Sequence, residues 1–266
     1  MSDVTMDEAA LVDAAQRLAT AERTRQPIDP LSTTHPAITP ADAYAIQQRW
    51  TARRVSDGES IVGWKLGLTS LAMQTQLGVD QPDYGPILSG WSLPDGAVIA
   101  ASELIAPRIE AEVAFILDRP LRGPGVTADE ARRATRAVAP ALEVIDSRIR
   151  DWKIHLPDTV ADLASCARVI VGPARVPIDG SFDLRLVGAV LEKDGTVVAT
   201  GAGAAALGDP AAAVAWAANT LGELGVTLEA GHVIMTGALH ASVPVAAGDT
   251  FSASIDRLGS VGVRFG

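Results

Sequence analysis

The sequence predicts an α+β protein with a β-rich core. Hydrophobic residues make up 48% of its 266 residues and charged residues 20%, which is enough apolar material for a large core. After residue 60, short β-branched runs alternate with Gly, Pro and Asp, a pattern typical of strands. Helical patterns interrupt these runs without the regular alternation of a parallel α/β fold. We therefore divide the chain into an N-terminal helical region, residues 1–60, and a β-rich domain, residues 61–266.

Two helices are predicted in the N-terminal region. Asp3 is expected to cap the first, in which Leu11 and Leu18 lie at helical spacing. Thr39 is expected to cap the second, because a proline follows it at the first helical position. This second helix is predicted to end before Gly58.

The β-rich domain is predicted to contain two more helices and many strands. Thr127 and Glu130 form the pattern of a capping box, and an Ala-rich helix is expected from Pro210 to Leu224. Asp194-Gly195 is predicted to turn a hairpin. The strands are expected at residues 87–88, 109–117, 141–145, 169–171, 184–191, 196–199, 233–236, 250–255 and 260–265.

Charge and composition exclude several functional classes. The net charge of −10 repels nucleic acid, and no basic stripe interleaved with aromatic residues is present. Cys166 is the single cysteine, so neither a disulfide framework nor a multi-cysteine zinc site is expected. The sequence begins without a signal-peptide pattern and contains no apolar run near the ~18 residues of a membrane span. These features predict a soluble cytoplasmic protein without a nucleic-acid or membrane partner.

The strand predicted over residues 109–117 carries two acids on one face. Because strand side chains alternate, Glu110 and Glu112 share a face that continues with Ala114 and Ile116. One interpretation is a strand end that emerges into water. The other is a metal site, because two carboxylates lie on a face that is otherwise apolar.

A third acid, Glu143, has only apolar immediate neighbours in the sequence PALEVI. An ionised carboxylate in such a place requires a partner. A salt bridge to Arg148 is one possibility, and a divalent cation shared with Glu110 and Glu112 is the other. Three glutamates form a hard oxygen site suited to Mg²⁺ or Mn²⁺.

Ordered motifs from about residue 40 to the C-terminus resemble the 2-keto-4-pentenoate hydratase (2-hydroxypenta-2,4-dienoate hydratase) family. With the 4-oxalocrotonate decarboxylases, these proteins belong to the fumarylacetoacetase-like superfamily. The first motifs are residues 63–70 (GWKLGLTS), 78–85 (GVDQPDYG), 107–112 (PRIEAE), 140–149 (PALEVIDSRI) and 158–162 (DTVAD). Later ones are residues 203–210 (GAAALGDP), 214–216 (VAW), 235–238 (MTGA), 248–249 (GD) and 258–261 (LGSV).

The resemblance implies a fold and a set of site residues. The fold is a fumarylacetoacetase-like mixed β-roll or β-sandwich behind a small N-terminal helical α/β region. Mg²⁺ or Mn²⁺ would be held by the three glutamates named above, and Lys65 and Asp83 would be catalytic. Burial is expected to lower the pKa of Lys65, with the neighbouring Asp83 favouring its charge. Without the resemblance, Lys65 would be read as a surface lysine.

Ser165, Leu68 and Thr69 are the substrate-binding residues that the resemblance implies. Two departures from the family pattern bear on the substrate. Leu163 stands where family members commonly carry Asn, so no amide is available there. His240 follows Gly-Ala-Leu in an unusual run, and we interpret it as a loop histidine without a catalytic role, rather than a residue at the distal end of the pocket.

The implied activity is that of a hydro-lyase of aromatic meta-cleavage pathways, adding water to 2-hydroxypenta-2,4-dienoate or a substituted analogue. A 4-oxalocrotonate decarboxylase, acting on 2-oxo-3-hexenedioate, is the alternative. A silent partner subunit is a third reading, which the intact Lys65, Asp83 and glutamates oppose. The resemblance also implies a homo-oligomer, pentamer or decamer, and association with a pathway aldolase or decarboxylase. Neither the dienoate substituent nor the subunit count follows from the sequence.

Overall fold

The computed structural model describes residues 3–70, 74–75 and 79–266, and Gly78 of the second motif lies outside the described residues. The described helices are α1 Glu8–Thr24, α2 Leu31–Thr34, α3 Pro40–Ser56, α4 Ala128–Ala134, α5 Leu156–Ala161 and α6 Pro210–Glu223. The first strands are β1 Ile61–Gly67, β2 Asp83–Leu88, β3 Ser92–Leu93, β4 Ala97–Ile99, β5 Arg108–Leu117, β6 Thr135–Ile145 and β7 Cys166–Val171. The remaining strands are β8 Gly188–Lys193, β9 Thr196–Ala202, β10 Val233–Met235, β11 Val243–Pro244, β12 Thr250–Ile255 and β13 Gly259–Phe265.

These strands form two mixed sheets, which confirms the predicted α+β class. The larger sheet has the order β2-β1-β10-β5-β6-β7-β3, and β11 also pairs with β5. The smaller sheet has the order β4-β13-β12-β8-β9. No helix of the described residues is both long and apolar enough to traverse a lipid bilayer.

The predicted alternation of β5 is confirmed by the core on its two faces. Ile109 and Ala111 pack against the smaller sheet, and Val113 and Phe115 pack with α6. Ala114 lies on the other face, in a core shared with Leu11 of α1 and Trp50 of α3. The N-terminal helices therefore cover the face of the larger sheet that carries the acidic side chains. The boundary at residue 60 remains a prediction.

Several local predictions were wrong: helices α2 and α5 and strands β1, β3, β4 and β11 were not predicted, and other elements begin at residues that were not expected. The first helix begins at Glu8, not near Asp3, because Asp7 accepts the capping hydrogen bond from the Ala10 amide at 2.8 Å. The amides of Thr5 and Met6 instead donate to the carboxylate of Asp42, which holds this segment extended. The strand predicted over 184–191 begins only at Gly188, after a short 3₁₀ turn.

Three later helices begin at the cap residues that the sequence indicates. Thr39 and Asp42 form a capping box at α3, and Thr127 and Glu130 form one at α4. Asp209 caps α6. Most of the small residues of α6 are buried within the chain itself, including Ala211, Ala215 and Ala218. This helix therefore gives no independent support for an interface between subunits.

Candidate active site

The three glutamates converge because of the register between β5 and β6. Glu110 lies directly opposite Glu143, and directly paired residues of antiparallel strands point to the same face. Glu112, two residues further along β5, shares that face. One carboxylate oxygen from each of the three residues lies within 4.8 Å of the others.

The burial of these carboxylates excludes the interpretation of a strand end in water. Glu112 and Glu143 have no exposed surface. Within the described part of the chain, one oxygen of Glu112 and both oxygens of Glu143 accept no hydrogen bond. Buried carboxylate oxygens without donors are costly, and a hard divalent cation is the partner that such an oxygen set fits. The residues present thus fit a divalent metal.

Gly237 fixes the other oxygen of Glu112. Its amide donates to Glu112 Oε2 at 2.8 Å, from a loop that leaves the end of β10. Gly237 has φ of +105°, and a Cβ atom built there would lie 1.9 Å from Thr69 Oγ1. Only glycine satisfies both conditions. The same clash shows that Thr69, predicted to bind substrate, lies beside the carboxylate cluster.

Gly237→Ala is expected to lower both the free energy of unfolding and the affinity for Mn²⁺. The strained backbone alone costs about 1–3 kcal/mol, and the contact with Thr69 pushes the amide away from Glu112. Urea unfolding and calorimetric Mn²⁺ titration measure the two effects. Gly248→Ala is the matched control, because Gly248 has φ of +92° but no atom within 4 Å of the added Cβ. Equal Mn²⁺ affinities in the two variants would contradict this role of Gly237.

Lys65 is a buried residue that faces the glutamates. Its side chain is 5% exposed, so the surface-lysine reading is wrong. Lys65 Nζ donates to the Ala164 carbonyl at 2.9 Å and lies 3.4 Å from Glu143 Oε1. The predicted alternative of a Glu143–Arg148 salt bridge is also wrong, because Arg148 pairs with Asp162 at 2.5 Å.

Asp83 shares the face of Lys65, and two glycines make room for both. Asp83 lies opposite Gly67 in the β1–β2 pair, and Lys65 lies opposite Gly85. A Cβ at Gly67 would lie 2.1 Å from Asp83 Oδ1, and one at Gly85 would lie 2.4 Å from the Leu163 carbonyl oxygen. Because Gly67 and Gly85 have no side chains, the Asp83 carboxylate and the 163–165 turn can occupy this volume.

The electrostatics of the cluster differ in one respect from the sequence prediction. Burial acts to lower the pKa of Lys65, but the carboxylates of Glu143 and Asp83 outweigh it, and the pKa is raised. Burial also raises the pKa of Asp83, against the opposing effect of Lys65. Burial, together with the charge of Glu143, raises the pKa of Glu110 to about 7 and that of Glu112 well above its usual value.

These shifts predict that the metal-free protein loses stability as the pH rises. A carboxyl whose pKa is higher in the folded state stabilises the fold below its unfolded value of 4.5, and that contribution is lost as the pH rises through about 7. For one such group the slope reaches about 1.4 kcal/mol per pH unit. Urea unfolding in EDTA between pH 5 and 8 measures it, and Mg²⁺ should restore more stability at pH 8 than at pH 5. Rising stability of the metal-free protein over this range would contradict the assignment.

The turn over residues 163–165 brings Ser165 to the site. Leu163, Ala164 and Ser165 have φ of +54°, +50° and +57°, a left-handed conformation that costs about 1–2 kcal/mol per non-glycine residue. Ser165 Oγ lies 3.3 Å from Thr159 Oγ1. Leu68, at the exit of β1, also has positive φ, +57°, and its carbonyl accepts a hydrogen bond from Gln74.

His240 bonds to the backbone through both ring nitrogens. Nε2 accepts from the Ala111 amide at 3.1 Å, between Glu110 and Glu112, and Nδ1 lies 2.9 Å from the Ala241 carbonyl oxygen. Burial lowers its pKa, in keeping with a neutral ring. His240 therefore ties its loop to β5, and the absence of a catalytic role stays a prediction.

Sequence reasoning missed the groups that act through the backbone. The Gly237 amide and the Ala164 carbonyl complete the surroundings of Glu112 and Lys65, yet neither has a side chain that marks it. The ion pair between Asp162 and Arg148 was also not predicted, although Asp162 belongs to one of the family motifs. The apolar neighbours of Asp162 in the chain, Ala161 and Leu163, were a signal that it would be buried.

The structure thus combines a mixed two-sheet fold with three glutamates, a lysine and an aspartate on one sheet face, and the glutamates fit a divalent metal. The family model for the C-terminal region of fumarylacetoacetate (FAA) hydrolase matches residues 42–265. The chain belongs to this family, which confirms the predicted superfamily.

Similar proteins include both activities that the sequence left open. The 2-keto-4-pentenoate hydratase of Paraburkholderia xenovorans (strain LB400) is 46% identical over 253 residues, which is 95% of this chain and 94% of the relative. The 4-oxalocrotonate decarboxylase of Pseudomonas sp. (strain CF600) is 42% identical over 261 residues, which is 98% of each. The solved 4-oxalocrotonate decarboxylase from Pseudomonas putida G7, complexed with magnesium and adipate, superposes with a TM-score of 0.95 at 41% identity, covering 99% of this chain and 100% of that structure.

Proposed function

We propose that this chain is a hydratase that uses Mg²⁺ or Mn²⁺ to add water to 2-hydroxypenta-2,4-dienoate or a substituted analogue. The product is a 4-hydroxy-2-oxo acid. The observation that carries the proposal is the placement of Lys65, an acid–base group, 3.4 Å from Glu143 of the carboxylate cluster. The similarity to the hydratase of Paraburkholderia xenovorans supports the choice of reaction.

Glu110, Glu112 and Glu143 would hold the cation, which when bound would act as a Lewis acid toward the oxygens of a 2-oxo acid. Lys65 and Asp83 would then carry the protons. The reaction needs a proton delivered to C5 as the 2-hydroxyl group loses its own, and then water added with its oxygen at C4 and its hydrogen at C3. Lys65 Nζ donates to the Ala164 carbonyl, and Asp83 lies on the same face of the sheet, so we assign the proton transfers to these two residues.

Burial of the pair keeps bulk water from competing for that proton. Lys65 and Asp83 are 4% and 2% exposed, and the N-terminal helices cover this face of the sheet. We assign Ser165, Thr69 and Leu68 to substrate binding, as the resemblance implies, and the contact of Thr69 with Gly237, whose amide donates to Glu112, supports this for Thr69. Ser165 directly follows Ala164, whose carbonyl accepts the hydrogen bond from Lys65. We propose that the Ser165 hydroxyl binds a carboxylate of the substrate.

A decarboxylase is the second candidate, favoured by the TM-score of 0.95 to the Pseudomonas putida G7 enzyme. The test is a comparison of two reactions with purified, Mg²⁺-loaded protein. The hydratase proposal predicts loss of the dienol absorbance of 2-hydroxypenta-2,4-dienoate, and little CO₂ from 2-oxo-3-hexenedioate. Release of CO₂ as the faster reaction would establish the decarboxylase instead, and no turnover of either would indicate a silent partner subunit.

We also propose that the chain forms a homo-oligomer, a pentamer or decamer, in the cytoplasm, and that it associates with an aldolase or decarboxylase of the same pathway. This proposal rests on the family resemblance, since the small residues of α6 pack inside the chain. Light scattering at micromolar concentration tests it, and a monomer would refute it.

A further inference from the structure

Residues 163–165 form a left-handed turn that contains no glycine and contacts Lys65. Leu163, Ala164 and Ser165 all have φ between +50° and +57°. Residues other than glycine rarely adopt this backbone conformation even singly. Three such residues in succession therefore require contacts with the surrounding structure that stabilise it. Such contacts are the hydrogen bonds to the residues just before and just after the turn, Asp162 and Cys166.

Arg148 holds both ends. Its guanidinium donates to the carbonyl of Asp162, before the turn, at 2.5 Å, and to the carbonyl of Cys166, after it, at 3.0 Å. It also donates through Nε to Asp162 Oδ1 at 2.5 Å, while the Arg148 amide donates to Asp162 Oδ2 at 2.9 Å. Arg148 is 1% exposed, so water does not compete for these bonds.

The middle of the turn faces Lys65. The Ala164 carbonyl accepts from Lys65 Nζ at 2.9 Å, which leaves the ammonium group between that carbonyl and Glu143 Oε1 at 3.4 Å. Gly85 allows the turn to approach this closely, because a Cβ there would meet the Leu163 carbonyl oxygen at 2.4 Å. If the turn relaxed to ordinary backbone angles, the Ala164 carbonyl would rotate away from Lys65.

We propose that Arg148 is a positioning residue for Lys65, acting through the left-handed turn that it holds at Asp162 and Cys166. The guanidinium sets the direction of the Ala164 carbonyl, and the carbonyl sets the direction of the Lys65 ammonium group. Arg148 itself does not touch substrate. The consequence for turnover rests on the proposed function, whereas the consequence for the placement of Lys65 does not.

Arg148→Lys tests the proposal, because lysine keeps the charge but cannot bond both ends of the turn. We expect kcat to fall about 10²-fold, the size of effect typical of a 1 Å misplacement, with KM and the Mn²⁺ dissociation constant unchanged. Chemical acetylation of Lys65, followed by peptide mass spectrometry, should become faster, while that of the exposed Lys153 stays constant. Arg150→Lys is the matched control, since Arg150 is exposed and pairs with Asp29.

The decisive step is a rescue. Adding Ala164→Gly to Arg148→Lys makes the left-handed conformation easy for the backbone, so kcat should recover in part and acetylation of Lys65 should slow again. Asp151→Gly relieves the same φ, +58°, outside the 163–165 turn and should rescue neither. Should Arg148→Lys not fold, the isosteric Asp162→Asn carries the same comparison.

Unchanged kcat and unchanged acetylation in Arg148→Lys would overturn the proposal. Loss of Mn²⁺ binding together with kcat, or the absence of rescue by Ala164→Gly, would overturn it in favour of a general structural role. If the unsubstituted protein hydrates no dienoate, the proposed function fails, and the acetylation measurements still decide whether Arg148 places Lys65.

Discussion

Lys65→Ala is expected to lower kcat for dienoate hydration about 10²–10⁴-fold, the range typical of losing a general acid–base group. Lys65 is buried on the face that carries the carboxylates and donates to the Ala164 carbonyl at 2.9 Å. Hydration requires a proton to reach carbon, and removal of the amine takes away one of the two residues to which we assign that transfer. Steady-state kinetics with Mg²⁺-loaded protein measure the loss.

Binding of Mn²⁺ separates this effect from damage to the metal site. Glu110, Glu112 and Glu143 are untouched in Lys65→Ala, so Mn²⁺ should bind as in the unsubstituted protein. Lys65→Arg should not restore activity, because a planar guanidinium does not reproduce the compact ammonium group that donates to the Ala164 carbonyl. Lys153→Ala is the matched control, since the Lys153 side chain is 70% exposed. A fast Lys65→Ala enzyme would show that the lysine only positions substrate.

Removal of the metal is expected to abolish activity. EDTA should bring turnover to background, and Mg²⁺ or Mn²⁺ should restore it, because three carboxylates without histidine or cysteine favour hard cations. Glu143→Gln should weaken Mn²⁺ binding by at least about 10²-fold, more than the loss of an outer-shell contact would cost. Calorimetric titration measures the change.

Glu143→Gln should leave the fold intact, because the amide is nearly isosteric with the carboxylate and removes a buried charge. Glu223→Gln is the control, as Glu223 is exposed at the end of α6. Full activity in EDTA, or unchanged Mn²⁺ affinity in Glu143→Gln, would refute the metal site.

Local rules of the sequence predicted two parts of the carboxylate cluster, but not how the parts meet. Alternation along β5 places Glu110 and Glu112 on one face, and the apolar neighbours of Glu143 indicate that it is buried. The register that sets Glu110 opposite Glu143 is not readable from either strand alone. In this chain the family resemblance supplied that information, and the pairing of β5 with β6 explains it.

The surroundings of Lys65 could not be predicted for a different reason. Nothing in the sequence Leu-Ala-Ser indicates a left-handed turn, and Arg148, which bonds to the backbone on both sides of that turn, lies outside it. The pKa of Lys65 depends on the balance between burial and the nearby Glu143 and Asp83 carboxylates, and the sequence did not show that Glu143 lies 3.4 Å from the ammonium group. Local propensity fails where distant residues hold the backbone against it.

The claim that Glu110, Glu112 and Glu143 together bind a divalent cation beside Lys65 is tested most directly by anomalous diffraction. Crystals grown with Mn²⁺ should show one strong anomalous peak at ~2.1 Å from an oxygen of each of the three carboxylates, with Lys65 Nζ still bonded to Ala164. A peak at another place, or no peak with the Lys65–Glu143 ion pair unchanged at saturating Mn²⁺, would contradict the account.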